Sequence, residues 1–169
     1  VYSVAYNGFT MICGFIMLIH SVFLPLVVEY KTKKKYGMIS KYMKKLPLFS
    51  VGWLILVIVG TFVSKYFIQL LFSAKYLEST PSFNILLIAS FFYFVSIYLL
   101  PIVNAYDLIL YSQIFNIVTA IINIIFDFLL VPNMGIIGAA YGTLISFAVG
   151  TVLSITLITL NRKKIFFRS

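Results

Sequence analysis

Residues 112–154 read SQIFNIVTAIINIIFDFLLVPNMGIIGAAYGTLISFAVGTVLS. The first half of this stretch carries polar side chains at helical spacing among residues that are nearly all Ile, Val, Phe, Leu or Ala; these are Ser112, Asn116, Thr119, Asn123 and Asp127. A helical repeat places them within about 80° of one another, and we name this row the polar stripe. Because each unpartnered polar group in lipid costs on the order of a few kcal/mol, the polar stripe is expected to face protein or water.

The second half predicts a helix with one face made of small residues. Small side chains recur there at every fourth position: Gly138, Gly142, Ser146, Gly150 and Ser154, with Ala139 and Thr143 beside them. Such spacing favours close helix crossing, because small side chains let two backbones approach. Static packing is one interpretation of this face, and sliding during gating is the other. Between the halves, Pro132 is expected to end the first helix and Gly135 to adopt a left-handed cap.

The composition indicates an integral membrane protein. Apolar residues make up 62% and charged residues 10% of the 169 residues, with a mean hydropathy of +1.08. Soluble domains are about 45–50% apolar and about one quarter charged. We therefore predict an all-α, polytopic transmembrane helix bundle without a soluble domain. About five spans fit the length, at residues 2–28, 47–72, 82–104, 108–131 and 136–160.

The amino-terminal region is predicted to be a membrane span and not a signal peptide. Residues 1–28 contain no initiator Met, no basic n-region and no small-residue cleavage site, so we interpret the chain as a fragment of a longer protein. Cys13, the only cysteine of the sequence, lies in this span and is expected to be a buried small hydrophobe.

The positive charge is concentrated in two short segments. Of the 13 Lys and Arg residues, seven lie between Lys31 and Lys45 and four between Arg162 and Arg168. Basic clusters that flank hydrophobic spans mark cytoplasmic loops, so the net charge of +9 indicates membrane topology and not nucleic-acid binding. An even number of spans separates the clusters, which predicts that both lie on the cytoplasmic side of the membrane and that the turn at Pro132 is external.

The first basic segment, residues 29–46, predicts a short amphipathic helix lying on the cytoplasmic leaflet. Its apolar side chains recur every three or four residues, with lysines on most of the opposite face; the apolar set is Tyr36, Ile39, Tyr42, Met43 and Leu46. Each Lys of such a helix adds about 1 kcal/mol of attraction to anionic membrane lipid. Two roles are open: anchoring and setting topology, or capturing a pyrophosphate-bearing lipid. The tail, residues 161–169, is the second basic cytoplasmic segment.

The remaining connections are short. Residues 73–81 are expected to form an outer loop. The connection at residues 105–108 predicts that the third and fourth spans form a tight antiparallel hairpin. Pro25 is expected to kink or end the first span.

Three ionisable residues inside spans are candidates for ion or anion coupling. Asp127 lies about 7 Å along its helix from Pro132, inside the hydrocarbon edge, where a carboxylate is partnered, protonated or facing water. His20 is either a proton relay or a neutral imidazole that is hydrogen-bonded to a neighbouring helix. Lys65 either extends its ammonium group to the outer interface or faces a cavity and attracts an anionic substrate.

The polar stripe is the strongest candidate for a substrate pathway. Asn116, Thr119, Asn123 and Asp127 either line a hydrophilic cavity, where amides bind sugar hydroxyls, or hydrogen-bond to neighbouring helices at about 0.6–2 kcal/mol per contact. No catalytic residue, metal site or cofactor site is predicted, because one His, one Cys and four acidic residues form no hydrolase, kinase or metal pattern. The chain is therefore not expected to be an enzyme.

A resemblance to a known family lies in the turn region. Residues 123–143, NIIFDFLLVPNMGIIGAAYGT, resemble the signature of the polysaccharide biosynthesis/export family, in which an Asn-containing helix leads to Ile-Pro-x-x-Gly-Ile-x-Gly-Ala-Ala. The start VYSVAY is similar to that family's Tyr-Ser-x-Ala helix start, and Leu24-Pro25 before a basic loop is similar as well. The resemblance covers nearly the whole chain in order, and Pro132–Ala140 is its most specific part.

The resemblance implies membership of the multidrug/oligosaccharidyl-lipid/polysaccharide exporter superfamily. Its members are built from two six-helix halves, and this chain would be most of the carboxy-terminal half. The implied function is to flip undecaprenyl-pyrophosphate-linked oligosaccharide, such as an O-antigen or capsule repeat unit, across the cytoplasmic (inner) membrane. Transport would occur by alternating access, together with the remaining helices of the full-length transporter. One departure is that members often place several cationic residues in the cavity, whereas only Lys65 and His20 are available here. The alternatives are a cation-coupled multidrug antiporter of the same superfamily and a non-transporting membrane scaffold.

Overall fold

The computed structural model describes residues 2–166, and its regular elements in that range are all helical. Val1 and residues 167–169, which include Arg168 of the basic tail, lie outside the described residues. The helices are α1 (Tyr2–Thr32), α2 (Tyr36–Lys44), α3 (Leu46–Phe72), α4 (Thr80–Ala105), α5 (Ile109–Met134), α6 (Ile136–Leu160) and α7 (Arg162–Phe166). A 3₁₀ helix, Ala74–Ser79, forms the predicted outer loop between α3 and α4.

Five segments of the described chain are long and apolar enough to cross a membrane. They are Ser3–Thr32, Tyr36–Phe72, Ala74–Ala105, Ile109–Met134 and Ile136–Leu160. The prediction of an all-α, polytopic transmembrane bundle is therefore confirmed. Each segment is longer than or equal to the span predicted from sequence, because the helices continue beyond the apolar core into their flanking residues.

Prolines lie inside helices at positions where the sequence suggested a helix end. α1 continues past Pro25 to Thr32, and α5 continues past Pro132 to Met134. The prediction that Pro132 ends the helix is wrong, and the turn is Gly135 alone. Gly135 has φ +56° and ψ −132°, a conformation that favours glycine but differs from the predicted left-handed cap. Helix continues through proline because unwinding would leave more backbone groups unpaired in hydrocarbon.

α4 is the central helix and packs against α1, α3 and α6. α5, in contrast, packs along α6 and makes little contact with α4. The predicted tight hairpin of the third and fourth spans is therefore wrong. The short connection joins the ends of α4 and α5, but the small residues of α6 admit close approach, so α6 lies against both helices.

The amphipathic helix predicted in the basic loop is present as α2, but its apolar face contacts protein and not lipid. Ile39 and Tyr42 are buried in the same cluster as Tyr98 of α4. The Tyr42 hydroxyl donates to the Tyr98 carbonyl at 2.6 Å, and the Tyr98 hydroxyl donates to the Tyr42 carbonyl at 2.9 Å. Their rings stack with centroids 4.5 Å apart. These reciprocal bonds fix α2 to the bundle, which corrects the prediction that it lies on the leaflet.

The substitution Tyr42→Phe is expected to lower the free energy of unfolding by about 1 kcal/mol, because it removes the hydrogen bond to the Tyr98 carbonyl in a buried site. Thermal or detergent-titrated unfolding of the purified protein would measure it. Tyr66→Phe, at a side chain that is 70% exposed, is the matched control and should change little. Equal effects of the two substitutions would contradict the role given to the tyrosine pair.

Both basic segments lie at one end of the bundle. α2 packs against α7, and Ile165 of α7 is buried in the same cluster as Ile39. The Tyr106 hydroxyl donates to the Ile165 carbonyl at 2.9 Å, and burial raises the pKa of that hydroxyl, so it stays a donor. We name this the basic end. Its assignment to the cytoplasm stays a prediction from charge.

Candidate functional site

Every residue of the polar stripe lines one of two adjoining cavities between α5 and the rest of the bundle. Ser112, Asn116 and Thr119 line the first, of about 330 Å³. Asn116, Thr119, Asn123 and Asp127 line the second, of about 320 Å³. Asn116 and Thr119 line both cavities, which therefore adjoin along α5, and we name the two together the polar groove.

The walls opposite the polar stripe come from α1 and α4, with α6 at the base. Aromatic side chains supply much of the apolar surface: Tyr6, Phe9, Tyr93, Phe115 and Phe147. Further hydroxyl groups extend the polar row on the side of α4 and α6: Ser96, Thr143, Ser146 and Ser154. The polar groove therefore combines amides, hydroxyls and one carboxylate with aromatic rings.

The small-residue face of α6 holds α5 in place. A methyl group added to Gly138 would come within 2.6 Å of the Leu130 backbone, and one added to Gly150 would come within 3.0 Å of the Thr119 side chain. A methyl group at Gly142 would collide with Oδ1 of Asp127. Ser146, the fourth residue predicted for this face, is buried and lines the polar groove. This close crossing leaves α5 packed mainly against α6, with little contact to α4, so the polar groove stays partly open along α5.

Most side chains of the polar stripe form no hydrogen bond to another helix among the described residues. Asn116 is exposed in the polar groove, and the Thr119 hydroxyl donates to the carbonyl of Asn116 within the same helix at 2.9 Å. Nδ2 of Asn123 donates to the Thr143 hydroxyl of α6 at a long 3.5 Å. Of the two arrangements that the sequence left open, the geometry resembles a lined cavity more than inter-helix bonding.

Asp127 lies where α5 crosses α6. One of its carboxylate oxygens, Oδ1, is buried in the notch left by Gly142 and has no hydrogen-bond partner within residues 2–166. The same residue lines a further opening, of about 370 Å³, on the outer side of α5 with Phe128 and Pro132. The Asp127 carboxylate therefore lines the polar groove and forms no ion pair with a basic side chain among the described residues.

His20 and Lys65 are not brought to the polar groove. Nδ2 of Asn104 and Nε2 of His20 are 3.1 Å apart, and this hydrogen bond links α1 to α4, as in the alternative in which His20 is hydrogen-bonded to a neighbouring helix. Lys65 is exposed on α3, and neither side chain lines the two cavities. The three candidate coupling residues therefore do not form a common site.

The sequence reasoning did not identify the groove residues of α1 and α4. Ser96 lies in the first cavity, and its hydroxyl is 3.0 Å from the Thr151 hydroxyl. A single serine in an apolar helix has no periodic signal. Thr143 and Ser146 were noted as packing residues, and the structure adds that the same face borders the groove.

The chemical capacity of the polar groove is to bind a neutral, hydroxyl-rich or weakly cationic solute. Amide and hydroxyl groups donate and accept hydrogen bonds, and aromatic rings pack on the apolar faces of such a solute. Comparison of the chain with protein-family models, with curated proteins and with solved structures gives no match.

Proposed function

We propose that this chain is part of a membrane transporter that flips lipid-linked oligosaccharide across the cytoplasmic membrane by alternating access. The polar groove would carry the sugar head group while the lipid tail stays in the bilayer. The observation that supports this most strongly is that all five residues of the polar stripe line these two adjoining cavities. The resemblance of residues 123–143 to the polysaccharide biosynthesis/export family supports the same substrate class.

The open side of the polar groove supports a transport role because contact with lipid is unfavourable there. Each amide or carboxylate that faces hydrocarbon costs on the order of a few kcal/mol. This side of the polar groove therefore needs water or a further protein surface. The remaining helices of a complete transporter would supply that surface, with the substrate passing between the two bundles. Asn116 and Asn123 would bind sugar hydroxyls, as amides do in polar sites.

Asp127 favours a second candidate, a cation-coupled multidrug antiporter. Its buried Oδ1 without a hydrogen-bond partner is the feature of this chain that would suit a bound cation or a transported proton. A scaffold that does not transport anything would need neither this carboxylate nor the groove.

The substitution Asp127→Asn separates these functions. For a flippase we expect a loss of about threefold or less, since an amide still offers hydrogen bonds to sugar hydroxyls and only the charge is removed. The measurement is the accumulation of unflipped lipid-linked repeat units in a deletion strain that carries the complete protein with the substitution. Loss of all ion-driven export would favour the antiporter, and a deletion strain without accumulated repeat units would contradict the flippase.

A further inference from the structure

A separate cavity lies away from the polar groove, between α1 and α3, with α4 at its base. It has a volume of about 240 Å³ and shares no lining residue with the polar groove. Its lining is almost wholly apolar: Ile12, Trp53, Leu56, Val57, Gly60, Val63, Phe67, Phe83, Leu87 and Ser90. We name it the apolar cleft. Leu56 and Val63 at its rim are 61% and 48% exposed, so it opens sideways toward the surroundings of the bundle.

Stacked aromatic pairs hold the two ends of the apolar cleft. Trp53 stacks on Phe94 with centroids 5.1 Å apart, and Phe67 stacks on Phe83 with centroids 5.6 Å apart. Trp53 and Phe67 are about 21 Å apart along α3. The polar atoms of the cleft are already paired, since Nε1 of Trp53 donates to the Ser90 hydroxyl at 3.3 Å. The cleft therefore offers an apolar lining along about 21 Å of α3, which suits a hydrocarbon chain.

A lysine stands above the apolar cleft on the same face of α3. The Phe49 amide donates to the Lys45 carbonyl at 3.1 Å, so Lys45 continues the helical repeat of α3. That repeat puts Lys45, Phe49, Trp53 and Gly60 within about 80° of one another. Lys45 is about 12 Å along the helix from Trp53, at the basic end. A lysine thus lies on the same face of α3 as the apolar cleft, toward the basic end.

The basic end carries an excess of exposed positive charge. The apolar face of α2 is buried against the bundle, which leaves Lys41 and Lys44 exposed beside Lys45. The acidic side chains at this end are already in ion pairs, Glu29 with Lys33 at 2.8 Å and Asp107 with Lys31 at 3.0 Å. These three lysines are in no ion pair with an acidic side chain of the described chain.

We propose that the apolar cleft and these lysines together form a site for one anionic phospholipid. One acyl chain lies in the apolar cleft over Phe49 and Trp53, and the head-group phosphate binds Lys45 with Lys41 and Lys44. The charge complementarity selects an anionic over a zwitterionic lipid, because each lysine near an anionic surface adds attraction that is worth about a fivefold preference. This site is separate from the polar groove and does not depend on what the groove transports.

Trp53 makes the proposal testable because it is the only tryptophan of the chain. The protein is reconstituted in phosphatidylcholine vesicles that contain a small fraction of phosphatidylglycerol or phosphatidylcholine with brominated chains, which quench tryptophan on contact. We expect brominated phosphatidylglycerol to associate at least fivefold more strongly than the brominated zwitterionic lipid at low salt, since each lysine is worth about fivefold. High salt should reduce the preference, since it screens exposed charges.

Matched variants separate the two parts of the site. Lys45→Gln should lower the preference by about fivefold, whereas Lys75→Gln, at an exposed lysine of the 3₁₀ helix, should leave it unchanged. Gly60→Leu fills the cleft and should reduce quenching by both brominated lipids. Gly14→Leu is its control, because nothing lies within 4 Å of a methyl group added there. Equal quenching by the two lipids in the unsubstituted protein would overturn the proposal, as would a preference that both Lys45→Gln and high salt leave unchanged.

Discussion

Gly138→Ala is expected to lower the free energy of unfolding by about 1–3 kcal/mol, and to abolish folding if the protein is only marginally stable. The added methyl group would lie 2.6 Å from the carbonyl of Leu130, and a backbone atom cannot rotate away as a side chain can. α5 and α6 would have to separate, and α6 is the principal neighbour of α5. Unfolding of the purified protein in detergent, followed by circular dichroism, would give the loss.

Gly52→Ala is the matched control for this prediction. Gly52 lies inside α3, and a methyl group there meets nothing within 4 Å. Alanine should stabilise that helix by about 0.5–1 kcal/mol, since glycine is the poorer helix former. The same Gly→Ala substitution is therefore expected to lower the free energy of unfolding at position 138 and to raise it at position 52. If Gly138→Ala were neutral or stabilising, the close crossing of α5 and α6 would be wrong.

The double substitution Asn116→Leu with Asn123→Leu is expected to lower the rate of flipping by about tenfold or more. Each amide would contribute a hydrogen bond worth about 0.5–1.5 kcal/mol to a sugar passing through the polar groove, and about 1.4 kcal/mol corresponds to a tenfold change in rate. The leucine side chains would also make the lining of the second cavity more apolar. Accumulation of unflipped lipid-linked repeat units in a deletion strain would measure the loss.

Gln113→Leu provides the comparison, because it removes an amide from an exposed position of α5 that lines neither cavity. Flipping by this variant should stay close to normal. A double variant that flipped as fast as Gln113→Leu would show that Asn116 and Asn123 do not touch the substrate.

The polar stripe was predictable because five polar residues at helical spacing define one face without knowledge of the neighbours. What that face borders was not predictable. The connection at residues 105–108 indicated that α4 and α5 are adjacent, yet loop length constrains only their ends. The partner of α5 is chosen by surface shape, and the glycines of α6 permit the closest approach.

For α2 as well, the sequence predicted an apolar face but not what that face contacts. Its apolar period predicted a face that avoids water, and a buried face of protein satisfies that condition as well as lipid does. The deciding contacts are the reciprocal hydrogen bonds between Tyr42 and Tyr98, which are far apart in sequence. His20 and Lys65 were named from residue type alone, and a lone ionisable side chain has no signal that tells which helix it faces.

The family resemblance falls on the segment whose packing the structure explains most fully. Gly135 occupies a turn with positive φ, and Gly138 lies against the backbone of α5. A sequence that needs this tight helical hairpin would select glycine at both positions regardless of what the protein transports. The proposal that the protein is a transporter therefore depends mainly on the polar groove and less on the family resemblance.

The central claim is that the polar groove holds water during transport. Its most direct test introduces Asn116→Cys, Asn123→Cys or Asp127→Cys one at a time into the complete protein with Cys13→Ser. We predict that a membrane-impermeant thiol reagent labels each of the three in at least one transport state, because thiols react as thiolates in water. Ile121→Cys and Phe128→Cys, on the exposed apolar face of α5, should stay unlabelled. Failure to label positions 116, 123 and 127 in every transport state would contradict the account.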